Sequence, residues 1–208
     1  MKKYPDIEEN TSNKVEEPDL SGEYTAADYL KWTFEGLVEL IHGKIFKMAP
    51  SPTSSHQATA VSLSSTIYQF FEDKSCVVFA APYDVYLVKP GEDYKKARNI
   101  LEPDVCVICD LSKIHEFGCV GAPDLVVEII SPSSAKKDLK LKYKLYEEYG
   151  VKEYWVLHPV DKVLTIHVLK NGKYEARPPL TEDDIAVSPL FPQLQIELKK
   201  IFWEKKAL

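Results

Sequence analysis

The sequence predicts a single α/β domain, close to the α+β border, on three observations. The first is the stretch Pro123-Asp-Leu-Val-Val-Glu128-Ile-Ile-Ser-Pro132, an apolar strand with a carboxylate at its centre. The second is the succession that surrounds it: a helix, three strands, a helix and a strand, with further strands on the flanks. The third is size: 208 residues with 45% hydrophobic and 28% charged residues suffice for one well-filled core.

Residues 1–22 are polar and without periodicity, and are expected to be a disordered tail ahead of a domain over 23–208. Thr25 is placed to cap a short helix through about Phe34, and Gly43 turns the chain into a strand over Lys44–Met48. The Pro/Ser segment 50–55 breaks the chain and caps a helix from about Ser55 to Glu72. His56, Ala60, Leu63, Ile67 and Phe70 share one face of that helix. Strands are expected at about 77–88, 103–109 and 124–131, and a helix over Ala135–Tyr149 closed by Gly150. Glu153–His158 reads as another strand. Lys162–Leu169 and Lys173–Arg177, joined by Asn171-Gly172, read as a β-hairpin. A last short strand or helix carries Leu194, Ile196 and Leu198.

No apolar run approaches the roughly 20 residues that span a bilayer, and the first residues lack a signal-peptide core, so a cytoplasmic setting is expected. The net charge of −6 argues against broad nucleic-acid affinity, but it is unevenly spread. Residues 1–23 hold three lysines against seven acids, a net of −4 that leaves −2 for the rest. Lys136–Lys144 holds five lysines and one aspartate, a basic helix able to meet a polyanion locally. Cys106 and Cys109 have a C-x-x-C spacing. Within the strand pattern Val-Cys-Val-Ile-Cys-Asp they face opposite sides, which favours small buried cysteines over a zinc or redox pair.

Glu128 shares a strand face with Val126 and Ile130, where a carboxylate loses several kcal/mol of hydration, of order, unless it gains a partner. Asp124 lies roughly 13 Å away along the strand, too far to share one ion. Asp104 opens the strand Pro103-Asp-Val-Cys-Val-Ile. If that strand lies beside the one holding Glu128, the two carboxylates converge on a cation, and hard oxygens suit magnesium or manganese. A turn residue after proline has equal claim on Asp104. Lys142 falls on the helix face of Leu139, Tyr143 and Tyr146, either to meet these acids or to snorkel over Tyr146. Lys136, Lys137 and Lys140 read as solvated. Glu39, in Leu37-Val-Glu-Leu-Ile-His-Gly, is a further metal or water ligand or the partner of a lysine. For His56 a capping or core role is the commoner outcome.

Four segments together carry a resemblance: Leu101-Glu-Pro-Asp104-Val; Ala122-Pro-Asp-Leu-Val-Val-Glu128-Ile-Ile-Ser-Pro-Ser-Ser; Asp138 through Lys142 to Tyr146; and Gly150-Val-Lys-Glu-Tyr-Trp-Val-Leu-His-Pro. With Val38-Glu39-Leu-Ile-His-Gly-Lys, the chain from about Tyr24 to beyond residue 170 resembles the Uma-type family. These are bacterial, especially cyanobacterial, proteins read as restriction endonucleases. The resemblance implies a restriction-endonuclease-like core of the PD-(D/E)xK superfamily, a central mixed β-sheet flanked by helices with extra strands. It makes Asp104 the aspartate of the PD motif and Glu128 the acid of (D/E)xK, with Ile130 where the superfamily has its lysine. Lys142 matches the migrated lysine of the family. The resemblance further implies a metal-dependent endonuclease. Asp104, Glu128 and a backbone carbonyl near Ile129 would hold Mg2+ or Mn2+, with Lys142 on the developing charge and Glu39 completing the shell. DNA backbone contacts would come from Ser131, Ser133, Ser134 and the lysines up to Lys144. A homodimer follows from superfamily habit. Trp155 or Phe202-Trp203 could supply its interface, although burial in the core is the commoner fate of such residues. The other reading of the chain is a nuclease fold retained as a binding or interaction module.

Overall fold

The computed structural model describes residues 19–32, 37–48, 52–131 and 137–203. Of the expected tail, residues 1–18 lie outside the described residues, and Asp19–Gly22 form a turn closed by the Gly22 N–H on the Asp19 carbonyl. Helix α1 (Ala26–Tyr29) is held by a reciprocal cap between Thr25 and Asp28. It ends earlier than the expected helix, and residues 33–34 of that expectation lie outside the described residues. Strands β1 (Val38–Ile41) and β2 (Lys44–Lys47) form a hairpin through His42-Gly43, both at positive φ. Helix α2 (Ser54–Phe71) starts at Thr53, whose hydroxyl accepts from the His56 N–H.

The expected strand over 77–88 is two strands in different sheets: β3 (Val77–Ala80) and β4 (Val85–Tyr86). Pro82 lies between them and offers no N–H to a ladder. Next come β5 (Ile100–Leu101), β6 (Val105–Ile108), β7 (Ile114–His115), β8 (Gly118–Val120) and β9 (Leu125–Ile129). After β9 the chain enters a π-helical segment, Lys137–Lys142, that passes into α3 (Tyr143–Tyr149). Gly150 at φ 89° ends α3 as expected. The π turn moves the helix register, so Leu139 is exposed, against the expected apolar face, while Lys142 is buried.

β10 (Glu153–His158) pairs parallel with β9, so the helical segment is its crossover. The hairpin β11 (Val163–Lys170) and β12 (Lys173–Ala176) turns at Asn171 and Gly172, both at positive φ, as the Asn-Gly pair requires. β13 (Leu180–Thr181) pairs with β11, and β14 (Ile185–Val187) with β15 (Gln195–Glu197), so the expected last element is a strand through Ile196 that passes into a short 3-10 helix at Leu198.

The large sheet runs β12-β11-β10-β9-β6-β3, and the small sheet β2-β1-β5-β4-β8-β7. One face of the large sheet (Val105, Val107, Leu125, Val127, Trp155) packs on α2 and on Leu194, Ile196 and Phe202. The other face (Cys106, Ile108, Val126, Val156) packs on α3 and the small sheet through Leu145, Tyr146, Ile41 and Leu101. Trp155 is fully buried, which removes it as an interface, while Trp203 is 43% exposed. No described helix is long and apolar enough to cross a membrane.

Cys106 and Cys109 do face opposite sides, but only Cys106 is a free buried thiol. Cys109 is bonded to Cys76, which corrects the expectation of two inert cysteines. The ladder of β3 on β6, with Val77 opposite Ile108, sets Cys76 across from Cys109, a pairing no local spacing reveals.

Candidate active site

The second face of the large sheet carries Glu128 against the small sheet and the crossover helix, and there four elements bring charge together. Glu128 from β9 is 3% exposed and lies on the side of Val126 and Ile130, as alternation requires. Its Oε1 accepts from Lys142 Nζ at 2.8 Å and from the Tyr146 hydroxyl at 2.7 Å. Lys142 Nζ also lies 2.7 Å from Oε1 of Glu39, on β1 of the small sheet, so one buried ammonium bridges carboxylates of both sheets. Glu39 Oε1 accepts in addition from the Glu102 N–H at 3.1 Å, and its Oε2 takes Lys137 Nζ at 2.5 Å. Burial pushes the Glu39 carboxyl up, but Lys142 and then Lys137 outweigh it and hold the group below its ordinary range. Tyr146, desolvated beside Glu128, stays a hydroxyl donor, its pKa far above normal.

β6 and β9 are antiparallel neighbours with Val105 opposite Val127, so Asp104 stands across from Glu128 at the end of the ladder. The carboxylates have different partners, however. Asp104 Oδ2 accepts from the Ile129 N–H at 2.6 Å, and Oδ1 lies 3.2 Å from His56 Nε2. His56, read as a core or capping residue, is thus the neighbour of Asp104 from the first turn of α2. Asp124 serves the strand ends, accepting from the Cys109 N–H and from Lys152 Nζ. Ser133, Ser134 and Lys136 lie outside the described residues.

Sequence reasoning missed three members. Lys137, expected in solvent, is on Glu39. Asp84 is held by the hydroxyls of Tyr29 at 3.1 Å and Tyr86 at 3.3 Å, and burial raises its carboxyl. Glu102 is 4% exposed, and its Oε2 has no hydrogen-bond partner among the described residues. Burial, then Asp84 and Glu39, raise its pKa from an ordinary 4.5 to about 7 despite Lys142 and Lys137. A signal for Glu102 was present in Leu101-Glu-Pro-Asp104, where the acid follows a buried Leu. Because the fold favours the protonated form, Glu102 contributes stability that is complete below 4.5 and is lost as pH rises through about 7. Glu102→Gln is expected to flatten the decline of melting temperature across that window. An unchanged pH profile of thermal unfolding would refute the assignment.

Among the described residues no three His, Cys, Asp or Glu side chains stand as a ready-made metal cage. The donor chemistry nevertheless fits a hard divalent cation: Asp104, Glu128 and Glu39 offer carboxylate oxygens, and among the described residues Glu102 Oε2 is a buried oxygen without a donor.

Comparison with known proteins defines the class first. A structure from Anabaena variabilis ATCC 29413, titled a "putative nuclease belonging to DUF820", superposes with a TM-score of 0.67 at 20% identity, over 86% of this chain and 97% of that one. The fold is restriction-endonuclease-like, as the resemblance implied. The chain belongs to the Uma2 family, described as "Putative restriction endonuclease", whose model matches residues 26–199. An uncharacterized Synechocystis protein, slr1290, is 28% identical over 131 residues, 62% of this chain and 63% of the relative's length.

Proposed function

We propose that the protein is a metal-dependent endonuclease that hydrolyses phosphodiester bonds in DNA. The observation that carries this reading is the buried Lys142 ammonium, held by Glu39 and Glu128 beside the strand that Asp104 opens. A fold gains little net stability from a buried ion cluster that apolar residues could replace, so such a cluster favours a functional assignment.

Asp104 and Glu128, with the carbonyl of Ile129, would hold Mg2+ or Mn2+. The bound ion would supply Lewis acidity toward the phosphodiester and a lowered pKa for a coordinated water. Lys142 places a positive charge where the phosphoryl group gains negative charge, and Glu39 holds that ammonium in position. Tyr146 donates to the same Glu128 oxygen as Lys142 and helps fix its rotamer. His56 positions Asp104. Ser131 and the lysines up to Lys144 would meet the DNA backbone. A cytoplasmic homodimer that cuts both strands completes the reading.

A second reading, a binding or interaction module on a nuclease fold, is favoured by one observation. Both oxygens of Glu39 and one of Glu128 are already satisfied by side chains of the protein. Calorimetric titration of Mg2+ or Mn2+ into wild type and Asp104→Ala, followed by cleavage assays, separates the two. The nuclease reading expects binding by wild type, about tenfold or more weaker binding by the variant, and cleavage by wild type alone. Wild type that binds no divalent ion ends the mechanism. Ion binding without cleavage of any DNA form puts the module reading ahead.

A further inference from the structure

Lys137 and Lys142 are five residues apart, which on an α-helix would set them roughly 140° apart at about 100° per residue. Here Lys137–Lys142 is π-helical, and a turn bonded i to i+5 brings the fifth residue back over the first. The two ammonium groups therefore reach the same carboxylate, Lys142 on Oε1 of Glu39 and Lys137 on Oε2. They are not equivalent. The Lys142 side chain is 3% exposed and also binds Glu128, whereas that of Lys137 is 17% exposed. Lys137 thus lies at the outer edge of the cluster, at the start of the basic segment, with a flexible stem.

Two demands meet at this position. A divalent ion drawn to Glu39 competes with the Lys137 ammonium for Oε2, and a backbone phosphate competes with Oε2 for the ammonium. We propose that Lys137 is the exchangeable cation of the site: it neutralises Glu39 in the ligand-free protein and moves to a DNA phosphate when substrate binds, releasing Oε2 to the divalent ion. The inference rests on the nuclease reading and adds to it a residue that couples substrate binding to ion binding.

The test is a pair of titrations on the full chain, with calcium ions as the divalent probe and a short DNA duplex as the phosphate probe. Lys137→Gln is expected to bind calcium more tightly, by about fivefold, because it removes the competing charge. The same variant should bind the duplex more weakly, with a salt-dependence slope shallower by about one. Lys137→Arg should restore the slope. Added duplex should raise the calcium affinity of wild type but not that of Lys137→Gln, a coupling that a lysine fixed on Glu39 cannot produce. If both affinities fall together, or neither changes while wild type binds both probes, the exchange is overturned and the nuclease reading stands. If wild type binds neither probe, the nuclease reading fails and the exchange with it.

Discussion

Lys142→Met is expected to destabilise the metal-free protein by about 3–5 kcal/mol, the cost of removing one partner from a buried ion cluster. Methionine keeps most of the length of the stem, so the loss is one of charge compensation and not of volume. Without the ammonium, Glu39 and Glu128 face each other across the two sheets with their buried charges only partly met. Lys137 and the Glu102 N–H remain on Glu39, and the Tyr146 hydroxyl on Glu128. Thermal unfolding should shift down by on the order of 10 °C for a domain of this size. The double variant Lys142→Met/Glu39→Gln should be less destabilised than the sum of its parts, because the second change removes a charge the first left exposed to its like. A melting temperature within a degree of wild type would show that the cluster is not electrostatically coupled as described.

Glu153→Ala is the second large effect, and it lies on the opposite face of the large sheet. Glu153 is fully buried in β10, and its carboxylate accepts from Trp155 Nε1 at 2.5 Å, the Ser188 hydroxyl at 3.0 Å and the Leu190 N–H at 2.8 Å. Burial raises the carboxyl, and these donors pull against it. Truncation strands three donors at about 1–3 kcal/mol each, partly relieved by water, for a loss of about 3–5 kcal/mol. It also frees the loop over 188–194, whose Ser188 hydroxyl in turn accepts from the Phe191 N–H. Divalent-ion binding should be unaltered at temperatures where the variant remains folded. Loss of ion affinity in proportion to stability would instead mean that the two faces of the sheet do not act independently.

Particular residues show how far the amino-acid order reaches. The strand around Glu128 could be read because its alternation is local: Val126 and Ile130 fix the face on which the carboxylate must lie. The pairing of that strand with the one opened by Asp104 could be stated only as a condition, since ladder partners twenty-four residues apart leave no local mark. Tyr143 and Tyr146 marked the inward side of the crossover helix, and Lys142 beside them is buried on that side against Glu128. Lys137 and Leu139 were misplaced because the expected helical period fails within a π turn. The expected strand over 77–88 divided at Pro82, where one half joins each sheet. Cys109 found its partner in Cys76, which only the antiparallel ladder of β3 on β6, with Val77 opposite Ile108, brings near.

By itself, then, the sequence determined the α/β class, the buried carboxylate in need of compensation, the C-terminal end of the crossover helix and the family. Those features rest on interactions within a few residues: alternation, caps, turn chemistry and a run of apolar side chains. The tertiary structure decided which charges neutralise Glu128. The answer depends on the approach of β1 from the small sheet, which brings in Glu39, and on the π turn that sets two ammonium groups on one carboxylate. It also decided that Asp104 is held by His56 and that Glu102 is enclosed with an acceptor to spare. Electrostatic energy in a poorly hydrated interior is a property of the assembled neighbours, and those neighbours here come from segments up to about a hundred residues apart.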